Sequence, residues 1–244
     1  LEVYSSWGRG RSVEWSEGKC EDISEAHGGG VGVRVILTGP GEAGKQGYAF
    51  TTGFKRESVE KAADNALVSA KVLPADEFRK LARPSLRENQ VPKDISDPQT
   101  FSETLQNVMD RLKEREEDCL KRFKHLKSML HGGFSEGVSH SAVFNGNGIE
   151  EEFSGTHTSL GAAFLAEKDG ERQEGGFGLS RRFGRDIPWD KIFDEAAART
   201  LALLGGKPMP TGKTAVVFDP TVACEFLSLI SGMVCADSVQ KGKS

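Results

Sequence analysis

The chain has 244 residues, 37% of them apolar, with 29 glycines, the balance of an ordinary globular protein of one to two domains. Its 32 basic and 36 acidic residues leave a net charge of −4, which argues against general nucleic-acid binding, since counterion release needs a basic excess. No basic-plus-apolar leader opens the sequence, and the longest apolar run, Val222 to Ala236, is interrupted by Glu225 and too short for a bilayer. The expectation is a fragment of a longer protein, with no signal peptide and no membrane contact.

In chain order, Ser12–Glu17 and Glu21–Ala26 flank a Gly18-Lys19 turn and predict a hairpin. Residues 31–38 are rich in β-branched side chains and predict a strand, with Gly47–Thr52 beside it. Val59, Ala62, Ala63, Ala66, Leu67 and Ala70 recur at helical spacing and predict an amphipathic helix ending before Pro74. Four prolines among charges make residues 74–98 a linker or surface crossing. Beyond it, Phe101, Leu105, Val108, Leu112, Cys119, Phe123, Leu126 and Leu130 mark one stripe of a long helix, which at ~1.5 Å per residue would run roughly 45 Å. The charged run Lys113–Asp118 is expected on its solvated side.

His131-Gly-Gly133 is expected to stop that helix and an antiparallel meander to follow. Strands at Gly137–Phe144 and Ile149–Leu165 flank the turn Asn145-Gly-Asn-Gly148, and Lys168-Asp-Gly170 leads to a strand at Arg172–Ser180. A helix capped by Asp186, with Pro188 in its first turn, runs to Gly205-Gly206. A strand at Ala215–Phe218 then passes through Asp219-Pro220 into a helix, Thr221–Cys235, that is apolar almost all round and needs burial. Strands mixed with helices, without regular alternation, predict an α+β fold: mixed or antiparallel sheets, and several helices including one long helix.

Cys20, Cys119, Cys224 and Cys235 show no CxxC spacing and are expected as buried free thiols. His27, His125, His131, His140 and His157 form no zinc motif, so neither a metal nor a cofactor site is expected within this chain. Gly39–Lys45 fits GxxxxGK, but Gln46 and a strand follow where a hydroxyl residue and a helix are needed. A hairpin loop is the better reading. Thr211-Gly-Lys-Thr214 fails too, because Lys207 stands where the first glycine belongs. Ser135, Ser139, His140, Ser141, Ser154, Thr156 and His157 could suggest a Ser–His–acid site, with His157 opposite Glu136 and His140 opposite Phe153. Alternating polar residues more simply describe a solvated sheet face. Gly8-Arg-Gly-Arg-Ser12 is expected in a solvated loop.

The stretches Ala196–Gly205, Pro210-Thr-Gly-Lys-Thr-Ala-Val-Val-Phe-Asp-Pro220 and Gly242-Lys-Ser244 resemble the TldD/PmbA family, more closely its PmbA (TldE) branch. The strand through Leu37, the Tyr-Ala-Phe-Thr-Thr strand and the Asn-Gly-Asn-Gly turn agree with it. That branch is described as a modulator of DNA gyrase and as half of a peptide-processing protease. The resemblance implies an N-terminal α+β domain over 1–73, a linker over 74–98, and a central long helix, meander and helix over 99–206. Residues 210–244 would be the truncated start of a β-rich C-terminal domain.

It further implies a cytoplasmic TldD–TldE heterodimer acting on unfolded or leader peptides, with zinc held by HExxxH in TldD. Here the two histidine positions fall on Leu227 and Gly232, and the glutamate position on Ser228. No catalytic residue, bound cofactor or metal is expected in this chain. Its expected partners are an HExxxH subunit or a second copy, with no nucleic acid. The alternatives are a stand-alone peptidase, its site beyond residue 244 or in the polar meander, and a non-enzymatic protein-binding modulator of the gyrase or antitoxin type.

Overall fold

One seven-stranded antiparallel sheet, ordered β4-β3-β2-β1-β5-β6-β7, organises the first 206 residues. The computed structural model describes residues 1–39, 42–84 and 95–244. Its elements are β1 (Glu2–Ser16), β2 (Lys19–Leu37), β3 (Gly44–Thr51), α1 (Arg56–Val72), β4 (Ala75–Asp76), α2 (Leu105–Arg122), β5 (Leu126–Asn145), β6 (Glu150–Lys168), β7 (Glu171–Arg181), α3 (Trp189–Ala202), α4 (Pro220–Met233) and α5 (Ala236–Gln240). The α+β class is as expected. Residues Lys207–Ser244 form a second unit.

Side chains alternate across a strand, which places both helical layers on one face of the sheet. Val13 packs with Phe134, Leu160, Phe164 and the apolar sides of α2 and α3. Val3, ten residues earlier on the same side, packs with Val31, Val33, Val35 and the alanines of α1. The α1 layer thus covers one end of the long strands and the α2–α3 layer the other. Tyr4, Tyr48 and Phe50 stand on the opposite face and are exposed.

Small residues let α1 lie close. A Cβ on Gly47 would come within 1.9 Å of the Ala66 carbonyl oxygen and 2.4 Å of the Ala70 nitrogen. The predicted hairpin is real but far longer, turning at Glu17-Gly18 rather than Gly18-Lys19, with glycines inside its strands. Gly29 pairs with Trp7, where a Cβ would meet the Ser6 carbonyl oxygen at 2.3 Å.

The long helix is shorter than its stripe suggests. α2 spans 18 residues, about 27 Å at the α-helical rise. It ends at Phe123, His125 adopts φ 79°, and Leu126 already pairs with Ala166 of β6. Leu126 and Met129 are buried from the strand, so tertiary pairing overrides a periodicity that suited either state. Its charged run is not all solvated: Glu116 is 3% exposed.

The meander turns one residue later than expected. The Asn145 side-chain carbonyl accepts the N–H groups of Asn147 and Ile149, and Gly148 takes φ 91°. This four-residue loop pairs Phe144 with Glu150, so His140 faces Ser154 and Gly137 faces His157.

Asp186 ends a 3-10 turn rather than capping α3, whose N-cap is Pro188 in a non-helical conformation. In the second unit, Asp219 caps α4 by accepting the Val222 N–H at 2.9 Å, with Pro220 in the first turn as expected. Ala215–Phe218 is not a strand, since no partner among the described residues offers it a ladder. The Phe218 ring rests instead on Phe226, centroids 4.7 Å apart. All four cysteines are free, but only Cys119 is buried and Cys224 and Cys235 are exposed.

Candidate functional site

The basic cluster expected in a loop lies in β1, where alternation aims Arg9 and Arg11 at the helical face. Arg11 donates to Glu136 at 2.6 Å and also to the Glu103 carbonyl oxygen. The Arg11 and Glu136 side chains are 11% and 7% exposed, so this pair is a buried anchor. The other Glu136 oxygen accepts the N–H of Phe101 at 3.1 Å, and Arg9 and Arg11 both lie over the Phe101 ring. Phe101 is thereby held at φ 70°, rarely populated by a bulky residue. The entry to α2 is clamped onto the middle of the sheet.

Two recesses flank this clamp. Towards α1, a hollow of about 230 Å³ is lined by Trp7, Phe54, His140, Phe153 and Ser154 among others. Trp7 and His140 lie 5.4 Å apart between ring centroids, and His140 Nδ1 is 2.7 Å from the Ser154 hydroxyl. No carboxylate among the described residues hydrogen-bonds to His140, and His157, three residues after Ser154, points to the opposite face. The Ser–His–acid arrangement is therefore not assembled. What remains is an exposed aromatic hollow with one polar pair.

Towards α3, a second recess is bounded by Asp97, Arg111, Glu136, Thr158 and Trp189. Asp97 accepts the N–H groups of Gln99 at 2.9 Å and Gly184 at 2.8 Å. Arg111 lies over the Trp189 ring, 4.2 Å from its centroid. The sequence reading named Glu136 only as the acid opposite His157 and missed the other four, because the five come from five separate segments. The only local signal was Asp97-Pro98, an Asx-turn start.

The GxxxxGK stretch joins β2 to β3, with Pro40 and Gly41 outside the described residues. Gly44 and Lys45 already belong to β3, and no helix follows. It is a hairpin connection rather than a phosphate loop. Leu227, Ser228 and Gly232 lie on α4; Leu227 is exposed, and a Cβ on Gly232 would meet nothing within 4 Å.

Residues 1–70 match the family model described as PmbA/TldA metallopeptidase domain 1, and residues 97–204 match the PmbA/TldA metallopeptidase central domain. The chain belongs to the PmbA/TldD family. Among curated proteins, it is 26% identical over 243 residues to the metalloprotease MJ0996 of Methanocaldococcus jannaschii, covering 93% of this chain and 49% of that protein. Its fold is shared with three solved structures. A candidate modulator of DNA gyrase from Bacteroides thetaiotaomicron has TM-score 0.84 and 23% identity, covering 98% of this chain and 54% of that one. A second such modulator, from Thermotoga maritima, has TM-score 0.71 and 19% identity over 86% and 46% of the two chains. TldE from Thermococcus kodakarensis has TM-score 0.66 and 18% identity over 82% and 44%. The chain spans about half the length of these relatives.

The two PmbA/TldD domain models meet within a continuous sheet, because β1 pairs along its length with both β2 and β5. The metal that a metallopeptidase family implies would find no side-chain donor at Leu227 or Gly232. Leucine and glycine offer zinc no lone pair, and serine is no substitute for a glutamate base. Among the described residues, no three His, Cys, Asp or Glu side chains converge where they could hold a metal ion. No helix of the described residues is long and apolar enough to cross a membrane.

Proposed function

We propose that this chain is the TldE-like, metal-free half of a cytoplasmic TldD–TldE metallopeptidase that processes unfolded or leader peptides. The resemblance supports the reading: it puts the family's zinc ligands at Leu227 and Gly232 and its glutamate base at Ser228, all on α4. A chain without those donors contributes surface and substrate contacts rather than bond cleavage. The hollow beside Trp7, Phe54 and His140 supplies aromatic walls suited to an apolar peptide side chain. The apolar side chains around α4, among them Phe226, Leu229, Ile230 and Met233, are exposed in the described residues and suit a protein interface.

The experiment is leader-peptide cleavage by this chain alone, by an HExxxH-bearing subunit alone, and by the mixture. Cleavage is expected in the mixture and is abolished by chelator. Chelator-sensitive cleavage by this chain alone would overturn the reading. The likeness to candidate gyrase modulators favours a second reading, a non-enzymatic protein-binding role. It predicts that no mixture cleaves peptide while a stable complex with another protein forms.

A further inference from the structure

The recess between α2, α3 and the sheet has a volume of about 210 Å³. Most polar groups around it are engaged: Asp97 by two backbone N–H groups, Glu136 by Arg11 and the Phe101 N–H. Two are not. Thr158 is 2% exposed, lies against Gly184 near Asp97, and its hydroxyl has no hydrogen-bond partner among the described residues. Buried hydroxyls are nearly always paired, so an orphan facing a recess marks where a polar atom belongs. Arg111 holds its guanidinium carbon over the Trp189 ring, and the group makes no ion pair among the described residues.

A guanidinium presents a planar fork that matches a carboxylate. The neighbouring Asp97, Glu103 and Glu136, set against Arg111 and Arg185, make a dianionic phosphate a poorer guest than a singly charged carboxylate. The recess is smaller than the roughly 300–1,000 Å³ of drug-sized sites, so its guest is about one amino-acid residue in size. Phe134 and Trp189 provide an apolar wall. We propose that this pocket binds one apolar amino-acid residue by its free α-carboxylate, with Arg111 holding the carboxylate and the Thr158 hydroxyl donating a second bond.

That chemistry is shared by a free amino acid and by the C-terminal residue of a peptide. The peptidase reading supplies such molecules, but the binding chemistry stands independently of it. Calorimetric titration of the full chain would use L-leucine, a leucine-terminated tripeptide, and the same tripeptide as its C-terminal amide. The carboxylates bind, and the amide binds at least about tenfold more weakly, the loss of a charge-assisted pair. Binding of leucine itself assigns the free amino acid; binding of the tripeptide acid alone assigns the peptide terminus.

Arg111→Met weakens binding by about tenfold. Thr158→Val weakens it severalfold while the melting temperature holds or rises, because an unpaired hydroxyl is removed. A merely structural threonine would do the reverse. No carboxylate binding at millimolar concentration, equal binding of the amide, or unaltered binding by both variants would overturn the proposal. A failed cleavage assay with intact leucine binding would sink only the peptidase reading.

Discussion

The indole N–H of Trp15 donates to Glu116 at 2.7 Å, and the same carboxylate accepts the N–H groups of Gly18 at 3.0 Å and Met129 at 3.4 Å. One acidic side chain of α2 thus ties together the β1–β2 turn and the start of β5. Three donors disperse its charge where water cannot reach it.

Glu116→Ala leaves the Trp15 and Met129 donors buried and unpaired, while the Gly18 N–H turns to solvent. The expected loss is about 3 kcal/mol or more, read as a lower urea midpoint at unchanged slope. Glu116→Gln, which keeps one acceptor oxygen, should lose less. A wild-type midpoint for the alanine variant would show that Glu116 is no anchor.

Gly47→Ala tests the seating of α1 on the sheet. The new methyl would collide with the Ala66 carbonyl and the Ala70 backbone, and forced repacking of this kind costs about 1–3 kcal/mol. Gly133→Ala is the control, since its Cβ meets nothing within 4 Å. Thermal melts should separate the two variants clearly.

Burial pushes the Cys119 thiol up to about 11, from an ordinary value of 9.0, with Asp194 and Asp118 raising it further and Arg122 opposing. At neutral pH it stays a thiol, so Cys224 and Cys235 should react with maleimide well before it does. The unfolded chain releases this proton nearer 9.0 than the folded one, so it binds fewer protons between the two values. Stability therefore falls as pH rises from about 9 to about 11. Cys119→Ala should flatten that slope, measured as the urea midpoint against pH.

Installing Leu227→His, Ser228→Glu and Gly232→His together should not create a working peptidase. A catalytic zinc needs a third protein ligand and an oriented outer shell, and α4 alone provides neither. Elemental analysis of the wild-type chain should find substoichiometric zinc after dialysis. Chelator-sensitive cleavage by the triple variant alone would contradict this.

Much of the scaffold was legible because local physics decides it. The alanine ladder of α1, the Asp219-Pro220 start of α4 and the strands of the meander follow from periodicity and capping. The donor chemistry at Leu227, Ser228 and Gly232 is likewise a matter of residue type and needs no coordinates. The second recess was not legible. Thr158 and Glu136 face each other only because the Asn145 turn sets that register, and a one-residue slip of β6 would aim Thr158 away.

The sequence by itself determined which residues could pair, cap, turn or ligate, since those properties reside in single side chains and their near neighbours. Tertiary structure alone decided where α2 stops, because Leu126 gains a ladder with β6 that its own periodicity does not specify. It decided too that Arg11, Glu116 and Glu136 are buried. A charged residue looks solvated in sequence, and only partners tens of residues away, such as Trp15 for Glu116, offset the cost of taking it out of water.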